Sequence, residues 1–228
     1  MRAARKPVAI FVKLKEPEYM HIPKMFEVTD EAIIDDFIKN NSLATIISLN
    51  GNAPEATHIP IELEINEQGD KVLWGHLSKA NPQWQSFKED NNVLVIFLSS
   101  INHYISSSWY GHPNAPTWNY MSVHVTGKIK IIEGEPLWES VRRLTNRHEE
   151  ISARPVSLDT LPLSVQKQMS GIVGFEVSMD KVQCAFKLSQ NRNDADHANI
   201  ISELKLLNNP NALLMAQHLE QERSLNNV

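Results

Sequence analysis

The chain is nearly without cysteine: Cys184 is the only one in 228 residues. No intrachain disulfide can form, which excludes the stapled secreted scaffolds and points to a reducing cytoplasm. Long apolar runs are missing too. Near the start, Val8 to Val12 is apolar, but five residues followed by Lys13 and Lys15 are too few for a signal-peptide core and far too few to cross a bilayer. Positive charge is in deficit, with 22 lysines and arginines against 27 aspartates and glutamates, a formal net charge of −5. A domain that grips DNA phosphates unaided carries the opposite balance. Direct DNA contact would need a basic patch gathered on a dimer.

Familiar catalytic signatures are also lacking. There is no Walker loop, no dinucleotide glycine fingerprint and no GxSxG elbow. His148-Glu149-Glu150 lacks the second histidine of a zinc helix, and the nine histidines show no paired metal-site spacing. Cys184, between Gln183 and Ala185 in a strand pattern, reads as a buried thiol rather than a nucleophile. Hydrolase and metalloenzyme chemistry are therefore poor matches.

What remains is an ordinary globular composition, 42% hydrophobic and 21% charged, long enough for one large domain or two small ones. Thr29 or Asp30 caps a helix with apolar positions at Ile33, Ile34, Phe37 and Ile38. Leu43–Leu49 is a strand, Asn50-Gly51-Asn52 a hairpin turn, and Ala56–Ile65 an alternating strand whose Pro60 implies an edge or bulge. Further strands are expected at Val93–Leu98 and Trp118–Ile132, the latter with a bulge at Gly127, and a short strand or bend at Tyr104–Ser108. Tyr120, Met121, Val123 and Val125 in that strand suggest burial on both of its faces. Pro136 opens a helix to about Glu150. Ile172–Val177 and Val182–Leu188 form a last hairpin across Met179-Asp180-Lys181, and a helical tail from Asp194 breaks at Asn208-Asn209-Pro210. Short strands in succession with inserted and appended helices imply a small barrel, mainly β with appended helices (α+β).

The stretch LWGHLSKANPQW, Leu73 to Trp84, runs from an apolar strand into polar donors. Asn81-Pro82 is a helix start, predicting a helix from Pro82 through Trp84 and Phe87 to about Asp90. Its N-terminus would sit beside Ser78 and Lys79, an arrangement that suits a phosphate. Taken alone, the same pattern is more often a plain strand–loop–helix corner with a solvated lysine. Three other stretches set hydroxyls, amides or a cation beside aromatics at strand ends: YISSSWY (104–110), PTWNY (116–120) and KLSQNRNDAD (187–196). A planar cofactor is held in such aromatic-walled clefts, although Trp109 and Trp118 serve equally as barrel core.

HIPKMFEVTDEAII, ATHIPIELE, GHLSKANPQW, YISSSWY, PTWNYMSVHVTG and FKLSQNRNDAD, in that order, closely resemble the PaiB-like family of the flavin mononucleotide (FMN)-binding split-barrel superfamily. Some of its members are described as negative transcriptional regulators. The resemblance runs from Met20 to the C-terminal helices. It implies a six-stranded FMN-binding split β-barrel, a cytoplasmic homodimer and a flavin site at the dimer interface. It divides the chain into an extension 1–19 with Met20 as the native start, a split-barrel domain 20–190 and a C-terminal helical segment 191–228. By the same resemblance Thr57, His76, Ser78 and Lys79 become phosphate candidates. Trp118 and Asn119 match positions near the flavin ring, contributed by the second subunit. Lys187, Gln190 and Arg192 match the motif that closes the pocket. Two positions depart from the pattern: Ser107 stands where proline is expected, and His21 replaces an aromatic. Besides a repressor, the resemblance allows an FMN-dependent oxidoreductase, a flavin reductase or a pyridoxamine-phosphate-oxidase-like enzyme, for which the sequence supplies no evident acid–base pair. A haem-binding split barrel is a third reading, without an obvious axial ligand.

Overall fold

Asn50-Gly51-Asn52 makes the turn that its composition predicts. In the computed structural model, which describes residues 20–88 and 91–226, β1 (Leu43–Asn50) and β2 (Ala53–Ile65) pair antiparallel, from Leu43 opposite Pro60 to Asn50 opposite Ala53. Gly51 supplies the φ of 58° that the tight turn needs. The extension 1–19 and the proposed helix end at Asp90 lie outside the described residues.

β2 serves two partners. Its first part, to Pro60, pairs with β1, and Ile61–Ile65 pair with β3 (Lys71–Ser78). Pro60 sits at the handover, where the strand has a free edge and a missing N–H is tolerated. The remaining strands are β4 (Asn92–Leu98), β5 (His103–Ile105), β6 (Thr117–Ile132), β7 (Ile172–Ser178) and β8 (Lys181–Lys187). The order β4-β1-β2-β3-β7-β6 closes into a ring because β6 also pairs with β4. Six strands make this ring, as the split-barrel reading requires, and β5 and β8 hang on β6. Closure leaves few exposed edges.

The expected hairpin of Ile172–Val177 with Val182–Leu188 is not a hairpin. Both strands lie along β6: β8 pairs with Tyr120–Thr126 and β7 with Ile129–Ile132. They are two halves of one course antiparallel to β6, bent where Ser178, Met179 and Asp180 face only Gly127 and Lys128. The bulge foreseen at Gly127 therefore puts its extra residue on the opposite strand. The burial foreseen for β6 is also one-sided for three of the four residues named. Met121, Val123 and Val125 face inward and are buried, while Tyr120, His124 and Thr126 on the outer face are half-buried.

Asp30 caps α1 (Glu31–Asn40), accepting from Ala32 N and Ile33 N, and the helix drives Ile34, Phe37 and Ile38 into the core while Ile33 stays exposed. The helix expected from Pro82 to Asp90 shrinks to α2 (Gln83–Ser86), because Phe87 turns into the core against Phe175. The other helices are α3 (Glu135–Glu149), α4 (Leu163–Gln166), α5 (Asp194–Leu206) and α6 (Pro210–Asn226). The last two pack their buried Ile200, Leu204, Met215 and Leu219 into the same apolar cluster as the ring.

α3 lies over the outward face of β2 and β3. Arg147 and His148 pair with the buried Glu62, and Arg143 with Glu64 and Glu139 while its guanidinium stacks over Trp74 at 5.5 Å. Arg142 also holds Glu139, and the two arginines keep that carboxyl below its ordinary pKa, Arg143 contributing most. Every arginine of this helix is thus committed to a carboxylate of the same chain. Arg147→Met should destabilise the protein by about 1–2 kcal/mol, since it leaves Glu62 buried with only a histidine, and the half-exposed arginine keeps the cost below that of a fully buried pair. Urea melts read this directly, and an unchanged midpoint would show the pair to be energetically idle.

Candidate functional site

β3 delivers the first group of candidate residues to one corner of the ring. Ser78 ends the strand, and its Oγ accepts from Ala80 N at 3.2 Å. Lys79 bonds through its backbone N to Gly171 O at 2.8 Å and through Nζ to Ser170 O at 2.6 Å. Asn81 Oδ1 takes Gln83 N at 3.0 Å, the cap that its sequence position suggests. A four-residue helix adds no sustained dipole, so the anion-binding capacity here rests on the Ser78 hydroxyl, the Lys79 ammonium and nearby backbone donors. His76 shares the outward face of β3 with Ser78. Its Nδ1 is buried without a partner, and burial holds its pKa below the ordinary value, favouring neutral imidazole.

Thr57 is placed differently. It pairs with the inward-facing Ile46 and meets α2, where its hydroxyl donates to Gln83 Oε1 at 2.5 Å and accepts from Asn81 Nδ2 at 2.9 Å. Gln83, itself buried, goes on to Ser48 Oγ and the Glu55 carbonyl. The Thr57 hydroxyl reaches the Ser78 corner through Asn81. Gln83 escaped the sequence reading because its role depends on a strand 35 residues away meeting a one-turn helix.

The second group gathers where β6 begins and β8 ends. Lys187 pairs in register with Tyr120, and its Nζ donates to Thr117 Oγ1. Burial and the adjacent Arg192 both hold its pKa below the ordinary value. Arg192 lies over the Tyr110 ring at 4.8 Å, with Nε buried and unpartnered. Neither cation has a carboxylate partner among the described residues. Asn119 is fully buried and donates to Ser189 Oγ at 2.9 Å, fixing a turn in which Ser189 takes φ 62°. Gln190 is spent on the same turn, donating to Phe186 O and accepting from Leu188 N. Trp118 is 53% exposed, edge-on to Tyr104 at 6.0 Å. Two uncompensated cations, an orphaned guanidinium nitrogen and an open aromatic ring fit a planar anion such as FMN. Ser189 and Thr117 were missed as candidates, although both lie inside or beside the quoted motifs.

The two groups do not meet within one chain. Pro60 pairs with Leu43 and Leu98 with Ser122 on the outer face of the sheet; continuing the β1–β4 ladder two residues past Thr45–Ile96 aligns Leu43 with Leu98, continuing the β2–β3 ladder one residue past Ile61–Gly75 aligns Pro60 with His76, and Trp118 lies four residues beyond Ser122. At about 4.8 Å per strand and 3.3 Å per residue the two groups are about 23 Å apart along the sheet surface. The face between them carries Leu43, Ile47, Leu49, Leu94, Ile96 and Leu98, of which Leu43 is 68% and Leu98 54% exposed. Two clefts of about 680 and 570 Å³ lie elsewhere, one beside α1 and the Met179 bulge and one under α3, and none of the nine candidate residues lines either.

No helix among the described residues is long and apolar enough to cross a membrane. The family described as "Putative FMN-binding domain" matches residues 20–181. The chain is 40% identical over 205 residues to the "Protease synthase and sporulation protein PAI 2" of Bacillus subtilis, covering 89% of this chain and 98% of that one. An uncharacterized protein of Emericella nidulans is 27% identical over 213 residues, 75% of this chain and 84% of its own length. Among solved structures, the FAD and heme binding protein from Mycobacterium smegmatis matches with a TM-score of 0.58 at 18% identity, over 75% of this chain and 78% of that one. The flavocytochrome Anf3 from Azotobacter vinelandii gives 0.56 at 17%, over 80% of each. At such identities these two structures speak for the fold alone. Motif order, ring topology and the match over most of the chain agree, and the protein belongs to the PaiB-like FMN-binding family of split barrels.

Proposed function

We propose that the protein is a cytoplasmic homodimer that binds FMN at two equivalent sites, each built from both chains, and that it acts as a regulator through this flavin-bound dimer. One observation carries the reading: two polar groups, each suited to part of a flavin nucleotide, flank at opposite corners an apolar sheet face that stays partly exposed among the described residues. A second copy laid on that face by a two-fold axis covers the leucines and brings the Trp118 corner of one chain to the Ser78 corner of the other. Ser78 and Lys79 then hold the phosphate, with His76 as a neutral hydrogen-bonding neighbour. Trp118 of the second copy stacks on the ring, and Lys187 and Arg192 place positive charge at its polar edge. FMN would supply hydride or electron transfer when bound, and the chain's own residues bind, orient and shield it.

The regulatory part of the reading is supported by the relative named for protease synthesis and sporulation. The arginines of α3 are bound to Glu62, Glu64 and Glu139, so the dimer gathers no free basic patch from them. Regulation therefore runs through a bound ligand or a further protein rather than through a strong DNA grip of its own. Ser78→Ala combined with Lys79→Ala tests the phosphate corner. Losing a hydroxyl and a charge-assisted donor should weaken FMN by about ten- to a hundred-fold, about 1.5–3 kcal/mol. Fluorescence titration with unchanged affinity would remove the phosphate from this corner.

A further inference from the structure

We propose that the side-chain amide of Asn81 is a third donor to the FMN phosphate, beside Ser78 and Lys79, and that it is held there by the Thr57 hydroxyl, whose proton Gln83 takes. The proposal rests on the phosphate placement above and deepens it.

Its basis is a closed ring of hydrogen bonds in which the sense of every bond is fixed. Gln83 is 2% exposed, and one end of its amide faces Ile46 O at 3.3 Å and Glu55 O at 3.1 Å. Main-chain carbonyls only accept, so this end is the NH2 group and Oε1 is the end at Thr57. The Thr57 hydroxyl has one proton and gives it to Oε1 at 2.5 Å. Its oxygen then accepts from Asn81 Nδ2 at 2.9 Å. Asn81 Oδ1 takes the Gln83 backbone N–H at 3.0 Å, which closes the ring. The serines behind Gln83 leave no alternative order. Ser86 Oγ donates to Gln83 O at 2.8 Å, so Ser48 gives its proton to Ser86 Oγ at 2.9 Å and accepts from Gln83 Nε2 at 3.1 Å.

The proton order decides what an anion meets at this corner. Thr57 has no proton left and offers only lone pairs, so it is a positioning residue and not a ligand. Asn81 keeps a second N–H on Nδ2, for which the described residues provide no acceptor. That N–H belongs to the turn that carries Ser78 and Lys79, since Asn81 N donates to Ser78 O at 2.9 Å. Ser78 Oγ accepts from Ala80 N at 3.2 Å and so keeps its own proton to give. One four-residue turn therefore supplies a hydroxyl, an ammonium and an amide N–H, the all-donor set that a phosphate dianion requires. Lys79 brings the charge, and the amide, fixed by the ring, adds direction.

The test compares FMN with riboflavin, which lacks the phosphate, by fluorescence titration of the full chain. Asn81→Ser keeps a side-chain oxygen for Gln83 N and removes the amide donor. It should weaken FMN about tenfold and leave riboflavin unchanged. Asn81→Thr makes the same change, should the serine variant lose its near-UV dichroism. Thr57→Val should weaken FMN alone, by about threefold, and Thr57→Ser should restore it. In the Asn81→Ser protein Thr57→Val should add nothing, because Thr57 acts only through that amide. FMN affinity unchanged in Asn81→Ser, or both flavins weakened alike, overturns the role of Asn81. A Thr57→Val loss that adds in full to that of Asn81→Ser gives Thr57 its own phosphate contact and overturns the proton order. Ser78→Ala with Lys79→Ala weakening riboflavin as much as FMN fails the phosphate corner itself, which keeps the two failures apart.

Discussion

Gly127→Ala is expected to cost more than about 4 kcal/mol and to leave little folded protein at ambient temperature, because it forces an overpacked contact with no soft neighbour. A Cβ at this position would lie 1.7 Å from the Ser178 carbonyl oxygen and 2.7 Å from its carbon. Both are backbone atoms, so no rotamer change relieves the overlap. The spot is the crossing where β7 and β8 bend past β6, and Lys128 N donates to Ser178 Oγ at 2.9 Å beside it. Making room pushes both strands off β6, which opens the ring at its longest strand. Gly171, with nothing within 4 Å and no left-handed φ, is the matched control, and Gly171→Ala should be neutral or slightly stabilising. Thermal melts of the two variants compare them, and a Gly127→Ala melt within a few degrees of wild type would show that the crossing yields cheaply.

The contrast between these glycines shows which features were legible in the sequence. Gly127 was visible as an interruption in a long apolar strand. The residue that makes it obligatory, Ser178, is 51 positions away and was assigned to a hairpin. Local chemistry was readable: Asn50-Gly51 for the turn, Pro60 for the free edge, Asp30 for the cap. Pairings set by closure were not, since β7 and β8 both choose β6 over each other although a short link joins them. The Pro82 helix failed for a similar reason. Its cap is real, but Phe87 gains more from the core than from another turn of helix. The strand partners of the α3 arginines could not be read from the helix itself, because Glu62 and Glu64 belong to a strand some 80 residues earlier.

At the candidate site, residue types were more legible than directions. Ser78, Lys79, Trp118, Lys187 and Arg192 stand at strand ends on the rim of one face, where motif order suggested a cleft. Thr57 turns inward to Gln83, and Asn119 is enclosed against Ser189, so both shape the site from behind. Period-2 alternation says which residues share a face, but β2 changes partners at Pro60, and so the inside of the ring had no fixed reference from sequence alone.

Leu98→Asp is expected to abolish the dimer and flavin binding together while leaving the fold intact. Leu98 is 54% exposed on the outer face, so a carboxylate there can reach solvent in the single chain and costs little. In the proposed interface each copy's carboxylate is carried into an apolar contact, where an unpaired charge costs several kcal/mol and raises the dissociation constant by about a thousandfold or more. Light scattering should then report about 25.9 kDa instead of twice that mass. Circular dichroism and melting temperature should stay close to wild type. FMN affinity should fall at least about a hundredfold, since the Ser78–Lys79 corner is left with no ring contact or second cationic group. Leu206→Asp, at a residue 74% exposed at the C-terminal end of α5, should change neither mass nor affinity. The two readouts separate the possible errors. A Leu98→Asp protein that stays dimeric places the interface on another face. A monomer that binds FMN as tightly as wild type shows that one chain completes the site, and the contribution of Trp118 and Lys187 from a second copy would be wrong.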